Sequence, residues 1–192
     1  MRIAGVVLAG GASRRMGRTK ALIDVEGTAM ADRVLDTLRA VGAEPVVLVG
    51  GDADELATLS APLVPDGYPG EGPVGGVLSA LDHLAALDTV DAALILPCDL
   101  SDVTTDVLWP LIEAAVGDAH SRVWVAATDR MEPMCALWSL TARGTVRERF
   151  VAGERTLHRL IAELPHTTVT VDARALHNVN RPEDLSPPES DR

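Results

Sequence analysis

Three runs of almost unbroken aliphatic residues, Ile3–Leu8, Pro45–Val49 and Ala92–Leu96, constrain the fold of this chain more than any other feature. A strand that is apolar on both faces has no side to offer water. It belongs in a sheet covered on both sides, where the parallel strands of α/β proteins lie. Longer segments with apolar residues at helical spacing separate the runs, the pattern of crossover helices joining parallel strands. Further strands are expected at Leu63–Val64, Val123–Ala127, Cys135–Trp138 and Thr168–Val171. Helices are expected at Ala29–Val41, Ala53–Leu59, Val74–Leu87, Thr105–Val116, Thr141–Val151 and Thr156–Leu164. Thr28 is placed to cap the first helix and Gly42 to stop it, and Pro73 falls in a first turn, where its missing N–H does no harm. The predicted fold is α/β: a single doubly wound, mostly parallel sheet with helices on both faces. Such sheets bind ligands beyond the carboxyl ends of their strands, which directs attention to the residues after Leu8, Val49, Val64 and Leu96.

A length of 192 residues suits one ordinary domain, taken as 1–185, with the tail 186–192 expected to be disordered. The apolar run at 3–8 is far too brief for a secretory signal or a membrane span, so a soluble, cytoplasmic protein is expected. Charge is unevenly spread. Residues 1–40 carry seven Arg/Lys against four Asp/Glu, residues 41–121 no base against fourteen acids, and residues 122–192 ten of each. A long acid-only stretch argues against general binding to nucleic acid or an anionic membrane, because phosphate contacts need basic surface. An anionic ligand must therefore use local bases, and Arg14, Arg15, Arg18 and Lys20, the chain's only lysine, form the obvious group. The two cysteines, Cys98 and Cys135, sit in apolar stretches and read as buried free thiols. Neither a zinc site nor a Ser-His-Asp nucleophile is encoded by the spacing of cysteines and histidines.

Those bases occur in the segment Leu8-Ala9-Gly10-Gly11-Ala12-Ser13-Arg14-Arg15-Met16-Gly17-Arg18-Thr19-Lys20, immediately after the first predicted strand. Glycine permits positive φ and close backbone approach, so N–H groups can converge on phosphate oxygens while Arg and Lys supply charge. The segment reads either as a triphosphate cradle or as a turn with a solvated basic face. It is not a Walker A loop, which needs Lys directly after its last Gly, and its glycine spacing is not that of the dinucleotide fingerprint. Asp99, in Leu96-Pro97-Cys98-Asp99-Leu100, stands directly after a buried strand. It suits either a helix cap or turn, or an oxygen ligand for Mg²⁺ bound with phosphate, since magnesium takes one or two carboxylates and leaves its other positions to water and phosphate. Asp102 and Asp106 fit the positive end of the helix near 105.

The stretch Tyr68-Pro69-Gly70-Glu71-Gly72-Pro73-Val74-Gly75-Gly76 leads into a helix whose start is clear of side chains. Anion or flat-ligand binding and close packing of helix on sheet both account for Gly75 and Gly76. Asp66, after the short strand, is either a turn acid or an acceptor for a base or sugar. Near the C-terminus, Asn178 and Asn180 precede Pro182 and fit a turn and helix cap, or neutral ligands to metal or phosphate.

In combination, Leu-Ala-Gly-Gly-x-Ser-x-Arg-Met-Gly-x-x-Lys-Ala-Leu at 8–22, Gly-Pro-x-Gly-Gly at 72–76, Pro-Cys-Asp at 97–99, Glu-Pro-Met-x-Ala at 132–136 and Asn-x-Asn-x-Pro-Glu-Asp-Leu at 178–185 resemble the molybdenum cofactor guanylyltransferases, which have the nucleoside-diphospho-sugar transferase fold. The resemblance spans nearly the whole chain in order. It implies transfer of GMP from GTP to the terminal phosphate of molybdopterin, with release of pyrophosphate and with Mg²⁺ as cofactor. Backbone groups of Leu8, Ala9, Gly10 and Gly11 would then meet the nucleotide, Lys20 and Arg15 its phosphates, Asp66 the guanosine portion, and Asp99 the metal and nucleotide. Asn178 and Asn180 would lie beside metal and molybdopterin. The implied partners are GTP and molybdopterin or the molybdenum cofactor, and beyond them the molybdenum insertase and molybdoenzyme delivery proteins. Gly10-Gly11 favours guanine, because the related cytidylyltransferases usually read Leu-Ala-Ala-Gly there.

Three positions depart from the family pattern: Thr19 where Asp often precedes the lysine, Gly50 where a nucleotide-contacting Asn is common, and Ser101 where Pro often follows the metal-binding Asp. The rival readings are cytidylyl transfer to the same cofactor, nucleotidyl transfer to another small phosphate, and a non-catalytic nucleotide-binding protein in cofactor delivery.

Overall fold

The computed structural model describes residues 1–10 and 19–176. Of the residues singled out above, Gly11, Arg14, Arg15, Arg18, Asn178, Asn180 and the tail 186–192 lie outside the described residues.

The chain forms a seven-stranded sheet from β1 (Ile3–Leu8), β4 (Val46–Val49), β5 (Leu63–Val64), β6 (Ala92–Pro97), β7 (Val123–Ala127), β8 (Met131–Ser139) and β9 (His166–Thr170). A separate hairpin pairs β2 (Asp24–Val25) with β3 (Thr28–Ala29). The order across the large sheet is β5-β4-β1-β6-β8-β7-β9, and β8 alone runs antiparallel to both of its neighbours. The expected α/β, doubly wound and mostly parallel sheet is therefore present.

Among the described residues six helices cover it: α1 (Met30–Ala40), α2 (Ala53–Leu56), α3 (Gly72–Ala85), α4 (Thr105–Gly117), α5 (Arg143–Val151) and α6 (Leu157–Ala162). The period-2 geometry of the strands divides their side chains between two cores. Ala4, Val6 and Leu8 of β1 and Ala93 and Ile95 of β6 pack with α3, α5 and α6. Val7 of β1, with Leu94 and Leu96 of β6, packs with α1 and α4. Two-sided burial is why these strands read as unbroken apolar runs.

The boundaries show where local signals were overruled. Thr28 does not cap α1; it is drawn into the β2–β3 hairpin, and Ala29 occupies the cap position with no side-chain bond. The hairpin turn, Glu26-Gly27, has φ of 55° and 88°, the two positive angles that a two-residue turn between twisted strands needs. Gly42, at φ 77°, ends α1 as expected, and Pro73 lies in the first turn of α3. Asp106 sits in the first turn of α4, but Asp102 instead faces Arg33 of α1 at 3.5 Å. The helix expected over 53–59 ends at Leu56, and the strand expected over 135–138 extends back to Met131.

The connections from β1 run through β4 to β5 in one half of the sheet, whereas those from β6 run into the other half. The segments leaving β1 and β6 therefore diverge. That divergence marks the switch point at which doubly wound sheets lodge ligands.

Candidate active site at the carboxyl edge

The sheet ladder continues beyond the strand ends and fixes the floor of this edge. Ala9 N–H donates to the Val49 carbonyl at 2.9 Å, Cys98 N–H to the Leu8 carbonyl at 3.1 Å and Gly50 N–H to the Val64 carbonyl at 3.0 Å. These bonds bring Leu8, Ala9 and Gly10 together with Asp66 and Asp99, segments far apart in sequence. Gly50 closes the contact. It has φ of 76°, and a Cβ added there would lie 3.1 Å from the Gly10 Cα and 3.5 Å from the Asp66 Cβ. A side chain at 50 is opposed by both the backbone angle and the space.

Lys20 opens a short 3-10 turn, Lys20–Leu22, whose Ala21 is fully buried. That anchor aims the ammonium at the end of β6, where Lys20 Nζ and Asp99 Oδ2 form an ion pair at 2.7 Å. Both side chains are partly shielded, at 18% and 23% exposed, so the pair is screened less than a surface ion pair. Thr19 Oγ1 hydrogen-bonds to Glu55 Oε2, tying the end of the glycine-rich segment to α2. The start of α2 is held by Asp52, whose Oδ1 accepts from the N–H groups of Asp54 and Glu55.

The turn after Asp99 is braced from behind. Arg33 donates through Nε to the Ser101 carbonyl at 3.2 Å and pairs with Glu26 of the hairpin turn at 3.4 Å. One side chain of α1 therefore holds both the hairpin and the turn carrying Asp99. Ser101 is buried, and its hydroxyl has no hydrogen-bond partner among the described residues. Burial, with the neighbouring Asp99 carboxylate, pushes the Cys98 thiol up to about 12. Cys135 is likewise pushed to about 12 by burial and by Glu132. Both are free and buried, and neither suits a nucleophile, which must be a thiolate.

Asp66 is held by two donors. Its Oδ1 accepts from Tyr68 N–H at 2.9 Å and from the Ser79 hydroxyl at 2.7 Å. Close packing explains Gly75, because a Cβ there would come within 3.1 Å of both the Cβ and the carbonyl oxygen of Tyr68. Tyr68 in turn packs against Phe150, with ring centroids 4.7 Å apart, and its hydroxyl accepts from Arg147 at 3.2 Å. Arg155 stacks over Phe150 and reaches Glu71 at 2.6 Å, so α5 and its following turn clamp the segment 68–71.

Sequence reading did not find Ser79, Arg33 or Glu55. Ser79 had one legible signal, a hydroxyl within the apolar run Val77-Leu78-Ser79-Ala80-Leu81; Arg33 and Glu55 had none, being ordinary charges on helices. No group of three or more His, Cys, Asp or Glu that could hold a metal occurs among the described residues. No helix among them is long and apolar enough to cross a membrane.

The switch-point edge of this α/β sheet thus carries a cation, Lys20, and two carboxylates, Asp66 and Asp99, beside close-set backbone, and the family match places the chain in the nucleotidyltransferase class. Residues 5–169 match the family model described as MobA-like NTP transferase domain, and the chain belongs to that family. It is 35% identical over 196 residues to a protein of Opitutus terrae named "Probable molybdenum cofactor guanylyltransferase", covering 95% of this chain and 92% of the relative. It is 32% identical over 188 residues to the molybdenum cofactor guanylyltransferase of Rhodobacter capsulatus, covering 97% and 94%. The fold recurs in the molybdopterin-guanine dinucleotide biosynthesis protein A of Archaeoglobus fulgidus, with TM-score 0.76, 23% identity and coverage of 96% and 95%. It recurs also in the 4-diphosphocytidyl-2C-methyl-D-erythritol synthase of Anaerococcus prevotii, with TM-score 0.71, 15% identity and coverage of 96% and 92%.

Proposed function

We propose that this protein transfers GMP from GTP to the terminal phosphate of molybdopterin, forming the guanine dinucleotide cofactor and releasing pyrophosphate. The observation that carries the reading is the Lys20–Asp99 pair set against the Leu8–Gly10 backbone, in a chain whose near full-length relatives bear the name guanylyltransferase.

The reaction joins two anions. A phosphate oxygen of the acceptor forms a bond to the α-phosphorus while the bond from that phosphorus to the bridging oxygen breaks, and the electron pair leaves with pyrophosphate. The nucleophile is already anionic, so the protein's task is positioning and charge stabilisation rather than proton abstraction. Lys20 neutralises triphosphate charge, exchanging its carboxylate partner for phosphate as the nucleotide enters. Arg15, outside the described residues, is assigned the same role towards the phosphates, and backbone groups of Leu8, Ala9, Gly10 and Gly11 are assigned to the nucleotide. Asp66 receives a donor of the nucleoside.

Asp99 is the candidate ligand for Mg²⁺. A single carboxylate at a strand end fits a metal that arrives with its phosphates and keeps most of its waters, and it does not fit a metal caged by protein alone. When bound, Mg²⁺ supplies charge neutralisation on the phosphate oxygens. Asn178 and Asn180 are assigned to the acceptor side. Nothing in the reading calls for nucleic acid or membrane, and the cytoplasm, where GTP is abundant, is the proposed compartment.

The test is direct. Purified protein is incubated with molybdopterin, Mg²⁺ and GTP or CTP in turn, and the product mass is determined. A GMP adduct with one pyrophosphate per turnover is expected. A CMP adduct would reassign the base, and no adduct with either would overturn the reading.

A further inference from the structure

We infer that Ser79, on α3, is a positioning residue that fixes which oxygen of Asp66 meets the nucleotide. The inference rests on the nucleotide role proposed for Asp66. Ser79 is 6% exposed and lies on the buried side of α3. Its hydroxyl has one proton and two possible acceptors, Asp66 Oδ1 at 2.7 Å and the Gly75 carbonyl at 2.9 Å. The carboxylate, charged and nearer, takes the proton. The same hydroxyl accepts from Gly67 N–H at 3.0 Å, and Tyr68 N–H donates to Asp66 Oδ1.

Two donors therefore fill both lone pairs of Oδ1. Oδ2 accepts no hydrogen bond from the described residues. Asp66 consequently reads a nucleoside through one oxygen only. It cannot make the two-pronged contact in which both carboxylate oxygens grip adjacent N–H groups of a guanine edge. Its partner is one N–H or O–H centre, on base or ribose, and any further discrimination of the base falls to other groups.

The test uses the full chain and whichever triphosphate the wild type turns over. Ser79→Ala frees Asp66 to rotate and leaves Gly67 N–H unpaired. Nucleotide Kd by calorimetry and KM are expected to rise about tenfold, as for loss of a hydrogen bond to a charged group, with kcat at saturation changed less than about twofold. In an Asp66→Asn background the same substitution should add little further weakening, because the two residues act as one unit. Equal losses in both backgrounds would overturn the inference. So would unchanged affinity in Ser79→Ala, or a fall in kcat and Tm with affinity intact. Where GTP is the nucleotide turned over, inosine triphosphate, which lacks the 2-amino group, and 2′-deoxyGTP, which lacks the 2′-hydroxyl, test those two donors as the partner of Oδ2. If removing one donor abolishes the Asp66→Asn effect, that donor is the partner. Retained turnover with an unaffected Ser79→Ala variant removes only this inference, whereas absence of any nucleotidyl product removes the function itself.

Discussion

The proposed chemistry turns on two residues, Lys20 and Asp99, which form an ion pair. Loss of a preorganised charge aimed at a developing phosphate should cost on the order of 10²–10³ in rate. Lys20→Ala is accordingly expected to lower GMP transfer by that factor at saturating GTP, and full activity would remove Lys20 from the mechanism. Asp99→Asn keeps the shape of the side chain but not its charge. It should shift the Mg²⁺ titration of activity to higher concentration, and an unchanged titration would contradict the assignment of Asp99. At Gly50 the cost is conformational. An L side chain at φ 76° beside Gly10 should destabilise the fold by about 1–2 kcal/mol in Gly50→Ala, read from urea denaturation. The thiols give a pH dependence. The folded chain holds the protons of Cys98 and Cys135 up to about pH 12, whereas an unfolded chain releases them from about 9.0, so this contribution to stability is complete below 9 and is lost as pH rises towards 12. Alkylation at pH 8.5 should therefore be slow in the native protein and fast in urea.

Among the elements, α3 connects the core to the nucleotide edge. Gly75 lets the segment 68–71 lie on the first turns of α3, and Ser79, one turn later, reaches Asp66. Gly75→Ala gains about 1 kcal/mol of helix propensity while pushing against Tyr68. Global stability should therefore change little, but the Gly67 and Tyr68 amides, bonded to Ser79 and Asp66, should exchange with solvent faster. Unchanged exchange would mean that the segment does not rest on Gly75. The hairpin β2–β3 shows why this level was only partly legible. Thr28 is a good helix cap taken alone, yet pairing with Val25 and the positive φ angles of Glu26 and Gly27 placed it in a strand. Strand pairing is nonlocal, and a two-residue strand leaves no periodicity to read. The long helices and the strands buried on both faces were read within a few residues, because each carries many side chains of one pattern.

For the molecule as a whole, two cores flank one sheet, and β1 and β6 contribute to both. A truncation in the middle of β6, Leu94→Ala, should cost about 2–5 kcal/mol in urea denaturation, whereas Val151→Ala, at a site 80% exposed, should be close to neutral. Equal effects would contradict the two-layer packing. The sequence by itself determined the α/β class, the unbroken strands, the switch-point location and the residue types Lys20, Asp66 and Asp99, because each depends on a local pattern or a motif of fixed spacing. Only the tertiary structure decided that β8 runs antiparallel between β6 and β7, that Lys20 pairs with Asp99, that Gly50 abuts Gly10 and that Ser79 holds Asp66. Those facts join segments distant along the chain, and the ladder bonds and packing that bring them together exist only once the sheet has formed.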